Sequence, residues 1–156
     1  MNHAEFMRRA IELSREKMQE GDGGPFGAVV VVDGRIVGEG WNMVTSHNDP
    51  TSHAEVVAIR EACRTLETFS LEGGSIYASC EPCPMCLGAI YWARLSKLYY
   101  ANTTEDAARI GFDDAILYRE IALPRGEGTL RCERLLAEEA LGVFAEWMRK
   151  TDRVEY

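Results

Sequence analysis

The chain has 156 residues, 46% of them apolar and 27% charged, and a formal net charge of −8. That balance is ordinary for one globular domain with a real core. It argues against a nucleic-acid partner, whose phosphates require clustered Lys and Arg. No apolar stretch is long enough to span a bilayer and no signal-peptide core follows the N-terminus, so no membrane association or secretion is expected. Five cysteines, an odd number, fit a reducing, cytoplasmic setting in which thiols bind metal.

Residues 3–20 predict an amphipathic helix with Phe6, Ala10, Leu13 and Met18 on its apolar stripe and Gly21 as its stop. The turn cluster Gly21-Asp22-Gly23-Gly24-Pro25 is either a plain connection or a close backbone approach to a ligand. Val29 to Val32 and Arg35 to Trp41 predict two strands joined by an Asp33-Gly34 hairpin. A loop from Asn42 to Pro50 leads to a helix over 53–66, with Val56, Ile59, Cys63 and Leu66 on its core face. Gly73-Gly74 turns into a third strand, Ser75 to Ser79. A helix over 84–94 and a fourth strand, Leu98 to Ala101, follow. Thr104-Glu105-Asp106 caps a short helix to Ile110, and a fifth strand is expected around Ile116 to Tyr118. The last helix, 133–149, is expected to turn Leu136, Ala140, Phe144 and Trp147 or Met148 inward; residues 151–156 form an irregular tail. This order predicts a single α/β domain over 1–156. It would be a three-layer α/β/α arrangement, a mixed five-stranded sheet with helices on both faces.

The chemistry lies between His53 and Cys86. In Cys83-Pro84-Met85-Cys86 two thiolates can grip one ion from a single helical turn, and His53 supplies a third ligand. Three such ligands leave tetrahedral zinc an open position, the mark of a catalytic rather than a structural site. Pro84 suits a first helical turn, and helix N-termini at His53 and Cys83 favour thiolates there. Glu55, two residues beyond His53, is placed to carry a proton. Ser52 and Glu55 also fit a helix capping box, but the cysteines downstream favour catalysis. Cys80-Glu81-Pro82-Cys83 is a second C-x-x-C. A ferredoxin cluster would need a fourth cysteine where Ile90 stands. A thioredoxin-type dithiol would leave His53 and Glu55 without a role. Cys80 is read as a buried strand-end residue. A non-catalytic zinc module in which Cys80 closes the fourth position is the competing reading.

His-x-Glu followed by Pro-Cys-x-x-Cys is the pattern of zinc nucleobase deaminases, and the chain resembles the cytidine deaminase superfamily. Within it, the chain is similar to the small bacterial guanine deaminases. The resemblance runs through Gly24-Pro25-Phe26-Gly27-Ala28, Asn42, Asn48-Asp49-Pro50-Thr51, His53-Ala54-Glu55, Cys80 to Arg94, Gly111-Phe112-Asp113-Asp114 and Glu155-Tyr156. It implies one zinc on His53, Cys83 and Cys86, with Glu55 as general acid/base and Asp114 as a second catalytic carboxylate. It also implies a purine pocket shaped by Phe26, Asn42, Ala54, Trp92 and Tyr156. The implied reaction is hydrolysis of guanine to xanthine and ammonia. The implied assembly is a homodimer whose C-terminal segment, 151–156, crosses so that Tyr156 acts in the partner's site.

The tRNA adenosine deaminases share the metal motif, Asn42 and Asp49-Pro50-Thr51, so they are the main alternative, with cytosine deaminase behind them. Phe26, Trp92, Phe112-Asp113-Asp114, the acidic balance and the terminal tyrosine favour guanine. A flat base suits aromatic walls, Asn42 offers both donors and an acceptor, and either Asp113 or Asp114 could accept an N–H or relay a proton. The ordinary readings are core packing for Phe26 and Trp92, a loop cap for Asn42 and a solvated turn for the aspartates.

Overall fold

A computed structural model describes residues 1–156. The chain separates into two compact units, Met1–Asp114 and Ala115–Tyr156. Asn2 opens helix α1 (His3–Glu20) with a capping box: its side chain accepts from the Glu5 N–H, and its own N–H donates to the Glu5 carboxylate. Gly21 ends the helix at φ 85°, a left-handed turn that glycine adopts without strain. Strands β1 (Gly27–Val32) and β2 (Arg35–Trp41) form the expected hairpin, with Asp33 at φ 49° and Gly34 at φ 72°. A four-residue helix α2 (Val44–His47) interrupts the loop before α3 (Ala54–Thr65). Then come β3 (Ser75–Cys80), α4 (Pro84–Trp92), β4 (Lys97–Asn102) and α5 (Thr104–Arg109). Thr103, not Thr104, caps α5, through a reciprocal bond pair with Asp106.

The sheet is mixed and four-stranded, in the order β2-β1-β3-β4. β1 runs antiparallel to β2 and β3, and β3 runs parallel to β4 across the α4 crossover. The alternation of β1 splits the core in two. Ala28 and Val30 join Ile76 and Ala78 against Ala54, Ala58 and Ala62 of α3 and Ile90 of α4. Val29 and Val31 join Tyr77 against Phe6, Ala10 and Leu13 of α1. Helices thus cover both faces, as expected.

Several expectations fail. The fifth strand does not exist: Ile116 to Tyr118 lie in helix α6 (Ala115–Ala122). Three apolar residues in a row carry no period that separates strand from helix, and Ala, Leu, Arg and Glu around them favour helix. On α3 the fully buried positions are Ala54, Ala58 and Ala62; the expected Ile59 and Cys63 do pack against that core but only partly buried, while Val56 is half-buried and Leu66 is exposed. The small side chains won because the helix lies directly on glycines of β2. A Cβ on Gly38 would stand 2.3 Å from the Ala58 oxygen, and one on Gly40 2.1 Å from the Ala54 oxygen. Met18 also drops out of the α1 stripe and is exposed.

In the C-terminal unit the last helix, α7 (Ala137–Arg149), forms, but its expected inward residues are exposed, Phe144 by 70%. No residue of 115–156 is buried. Periodicity reports that a helix has an apolar face; it does not say which chain covers that face. No helix is long and apolar enough to cross a membrane.

Candidate active site

Two helix N-termini build the site. His53 is the N-cap residue of α3 and Cys83 that of α4, with Pro84 following in the first turn of α4. The alternative capping box of Ser52 and Glu55 does not form: His53 is the N-cap residue and the Ser52 hydroxyl donates to Asp49 at 2.7 Å. Asp49 also accepts from the Thr51 N–H and hydroxyl at 2.8 and 2.7 Å, an Asx turn that freezes the approach to His53. These bonds, Thr51 first and Ser52 next, hold the Asp49 carboxyl down at about 2.

His53, Cys83 and Cys86 bring one ligand atom each within 4.8 Å of one another. The histidine nitrogen that faces the sulfurs is Nδ1, 3.6 Å from Cys83 Sγ and 3.5 Å from Cys86 Sγ. Tetrahedral zinc, with Zn–S about 2.3 Å and Zn–N about 2.0–2.1 Å, requires an N···S separation of about 3.6 Å. The three side chains therefore already stand where zinc would hold them. Cys83 falls to about 4 because Cys86 donates to its thiolate, with His53 assisting, and the same bond together with burial pushes the Cys86 thiol up. His53 is raised by its bond to Cys83. Metal binding takes deprotonated thiolates and a neutral imidazole, which this donor set can supply.

Glu55 lies on the first turn of α3, is buried, and bonds Cys86; burial raises its carboxyl above the ordinary value. Cys80 stands outside the ligand set. Its S–H donates to the Thr103 carbonyl at 3.6 Å and burial pushes the thiol up to about 11, so the closed four-ligand module finds no support. Of the two aspartates, Asp113 is exposed. Asp114 is half-buried, and its carboxyl is raised by burial and then by the negative charge of Cys83.

Around this centre Asn42 is buried, and its Oδ1 accepts the N–H groups of Gly24 and Val44 at 3.2 and 3.3 Å. Ala54 is buried between ligand and carboxylate. Phe26 meets Phe112 edge-to-face at 4.9 Å, a partner to which the sequence reading gave no role because a loop has no periodicity to reveal its facing. The glycine cluster proves to be a close approach to a side chain of the chain itself: a Cβ on Gly23 would sit 2.5 Å from Asn42 Oδ1. Trp92 is the last residue of α4, about 12 Å along the helix from Pro84, and is 67% exposed; Tyr156 is 73% exposed. The open groove lined by Val37, Trp41, His47, Val57 and Arg60 includes none of the metal-ligand side chains.

Residues 1–102 match a family model described as the cytidine and deoxycytidylate deaminase zinc-binding region. Guanine deaminase of Bacillus subtilis strain 168 is 50% identical over 156 residues, 100% of both chains. The X-ray structure of guanine deaminase from Bacillus subtilis matches with a TM-score of 0.97 at 50% identity, over 100% of this chain and 99% of that one. A tRNA-specific adenosine deaminase of Haemophilus influenzae is 34% identical over 158 residues, covering 96% of this chain and 86% of its own.

Proposed function

Because this chain belongs to the zinc-binding family of cytidine and deoxycytidylate deaminases, we propose that it hydrolyses guanine to xanthine and ammonia. The observation that carries guanine is full-length identity of 50% to a guanine deaminase, against 34% to a tRNA adenosine deaminase. The net charge of −8 points the same way, since a tRNA ligand calls for a basic surface.

His53, Cys83 and Cys86 would hold the zinc, which when bound would supply a Lewis acid that makes water nucleophilic near neutral pH. Glu55 accepts the proton of the attacking water and delivers it to N3 of the ring, then takes the proton of the hydroxyl added at C2 and passes it to the exocyclic amine as the carbonyl forms and the amine leaves. Burial suits this carboxylate to holding a proton in transit. Asp114 assists that second transfer, so that one proton in all reaches the departing amine. Water adds at C2, the bond to the exocyclic nitrogen breaks, and xanthine and ammonia result. Phe26, braced by Phe112, and Trp92 flank the ring, Ala54 packs below it, and Asn42 meets a polar edge. A polar site of this kind rejects bases that leave its groups unpaired.

The same reading makes the protein a homodimer in purine metabolism. The apolar face of α7, uncovered within one chain, supports a second copy as its cover. In that dimer 1–156 acts as one deaminase domain, and the tail, 151–156, carries Tyr156 to the partner's pocket. All five cysteines are free, which supports a reducing cytoplasm. Zinc-loaded protein incubated with guanine, adenosine-containing tRNA stem-loops, cytosine and cytidine should release ammonia fastest from guanine. Faster release from the stem-loop would overturn the assignment.

A further inference from the structure

Asn42 is buried, and the orientation of its amide is dictated by its neighbours. Both groups facing Oδ1 are backbone N–H donors, those of Gly24 and Val44. An amide nitrogen cannot occupy that place, so the O/N assignment is unambiguous. Two bonds fill the two lone pairs of the oxygen. Only the NH2 group remains for a ligand, and it can only donate. The base edge that meets Asn42 must then present an acceptor, a keto oxygen or an unprotonated ring nitrogen.

Gly24 holds the oxygen, and something must hold Gly24. The turn from Asp22 to Phe26 follows the last turn of α1, where the Asp22 N–H donates to the Lys17 carbonyl at 3.0 Å. Inside the turn the Phe26 N–H donates to the Gly24 carbonyl at 2.8 Å, and a side-chain bond ties its start: Trp41 Nε1–H donates to Asp22 Oδ2 at 3.0 Å. Trp41 is the residue before Asn42. Its ring packs against the core under α1 and carries Lys17 Nζ 4.8 Å from its centroid. The turn is pressed close, since a Cβ on Gly23 would meet the Asn42 carbonyl oxygen at 2.2 Å. At its far end the Asn42 N–H donates to the Phe26 carbonyl at 3.1 Å.

We propose that the Asp22–Trp41 hydrogen bond is a clasp that positions the Asn42 amide. It holds the glycine turn so that Gly24 keeps Oδ1 engaged and the NH2 group faces the base. Asp22 and Trp41 touch no substrate; they are positioning residues, acting through Gly24 and Asn42. The inference rests on the reading above that Asn42 meets the purine.

The test compares zinc-loaded Trp41→Phe, which keeps the ring and removes the donor, with Asp22→Ala and Asp22→Asn, the last of which keeps an acceptor oxygen. Amide exchange at Gly24, measured against the central-strand amide of Ile76, reads the clasp without substrate. Loss of one such bond should speed exchange at Gly24 about fivefold to tenfold in Trp41→Phe and Asp22→Ala, with Ile76 unchanged. In the same two variants KM for guanine should rise about tenfold with kcat within about twofold, while Asp22→Asn behaves as the parent. Unchanged Gly24 exchange in both variants overturns the clasp, as does loss of protection at Ile76 alongside it, or failure of Asp22→Asn to rescue. Faster exchange with an unaltered KM overturns the link to substrate. A parent protein inert toward guanine sinks the substrate reading, and the Gly24 rates still decide whether the clasp exists.

Discussion

Gly40 tests how far packing on β2 governs the metal centre. Its hydrogen faces α3 so closely that an added Cβ would lie 2.1 Å from the Ala54 oxygen and 2.4 Å from the Ala58 nitrogen. Ordinary contact begins at 3.4 Å, so Gly40→Ala demands a shift of 3.4 − 2.1 = 1.3 Å. Neither neighbour is a flexible side-chain tip; both are helix backbone. Ala54 lies between His53 and Glu55, so the displaced turn carries the imidazole and the carboxylate with it. Overpacking of this kind costs about 1–3 kcal/mol, and at about 2–4 °C per kcal/mol for a chain of this size Tm should fall by about 2–12 °C. A displacement of about 1 Å at reacting groups lowers kcat/KM by about a hundredfold. Gly38→Ala is the internal control: its Cβ would meet the Ala58 oxygen at 2.3 Å and the Ala62 nitrogen at 2.6 Å, toward the far end of α3. It should cost similar stability and much less activity. Calorimetry, zinc content and guanine turnover measured on both variants decide the matter. The packing argument is refuted if Gly40→Ala keeps its Tm, or if both variants lose activity equally.

Glu55→Gln should retain zinc and lose turnover by about a hundredfold to ten-thousandfold; near-parental turnover would remove Glu55 from the proton path. Cys80→Ser should leave zinc affinity unchanged in a chelator competition, because its sulfur bonds the Thr103 carbonyl rather than joining the ligand set. Deleting residues 151–156 should lower activity while circular dichroism stays the same, and unchanged kinetics would take Tyr156 out of the pocket. Asp49 titrates at about 2 in the folded chain against its ordinary 3.8, held down by Thr51 and Ser52. Its contribution to stability is therefore present above the unfolded value and lost as pH falls through the folded one. The parent should weaken between pH 3.8 and about 2, and Asp49→Asn should lack that part of the acid dependence in a series of denaturant melts.

The sequence by itself determined the chemistry of the centre. His53, Cys83 and Cys86 are local signals, each ligand-bearing segment being a helix start that Pro84 and the preceding turns announce, and the sheet-helix order follows from periods of 2 and 3.6. Tertiary structure alone decided what depends on contacts between distant segments. The core face of α3 became Ala54, Ala58 and Ala62 because two glycines of a neighbouring strand brought backbones together, a match no single period encodes. Ile116 to Tyr118 became helix because a three-residue apolar run has no direction until its neighbours choose one. The half-burial of Asp114 beside an exposed Asp113, the contact of Phe112 with Phe26 and the locked amide of Asn42 all arise where loops meet. Loops carry no repeat, so the facing of each side chain is set by what the rest of the fold puts beside it.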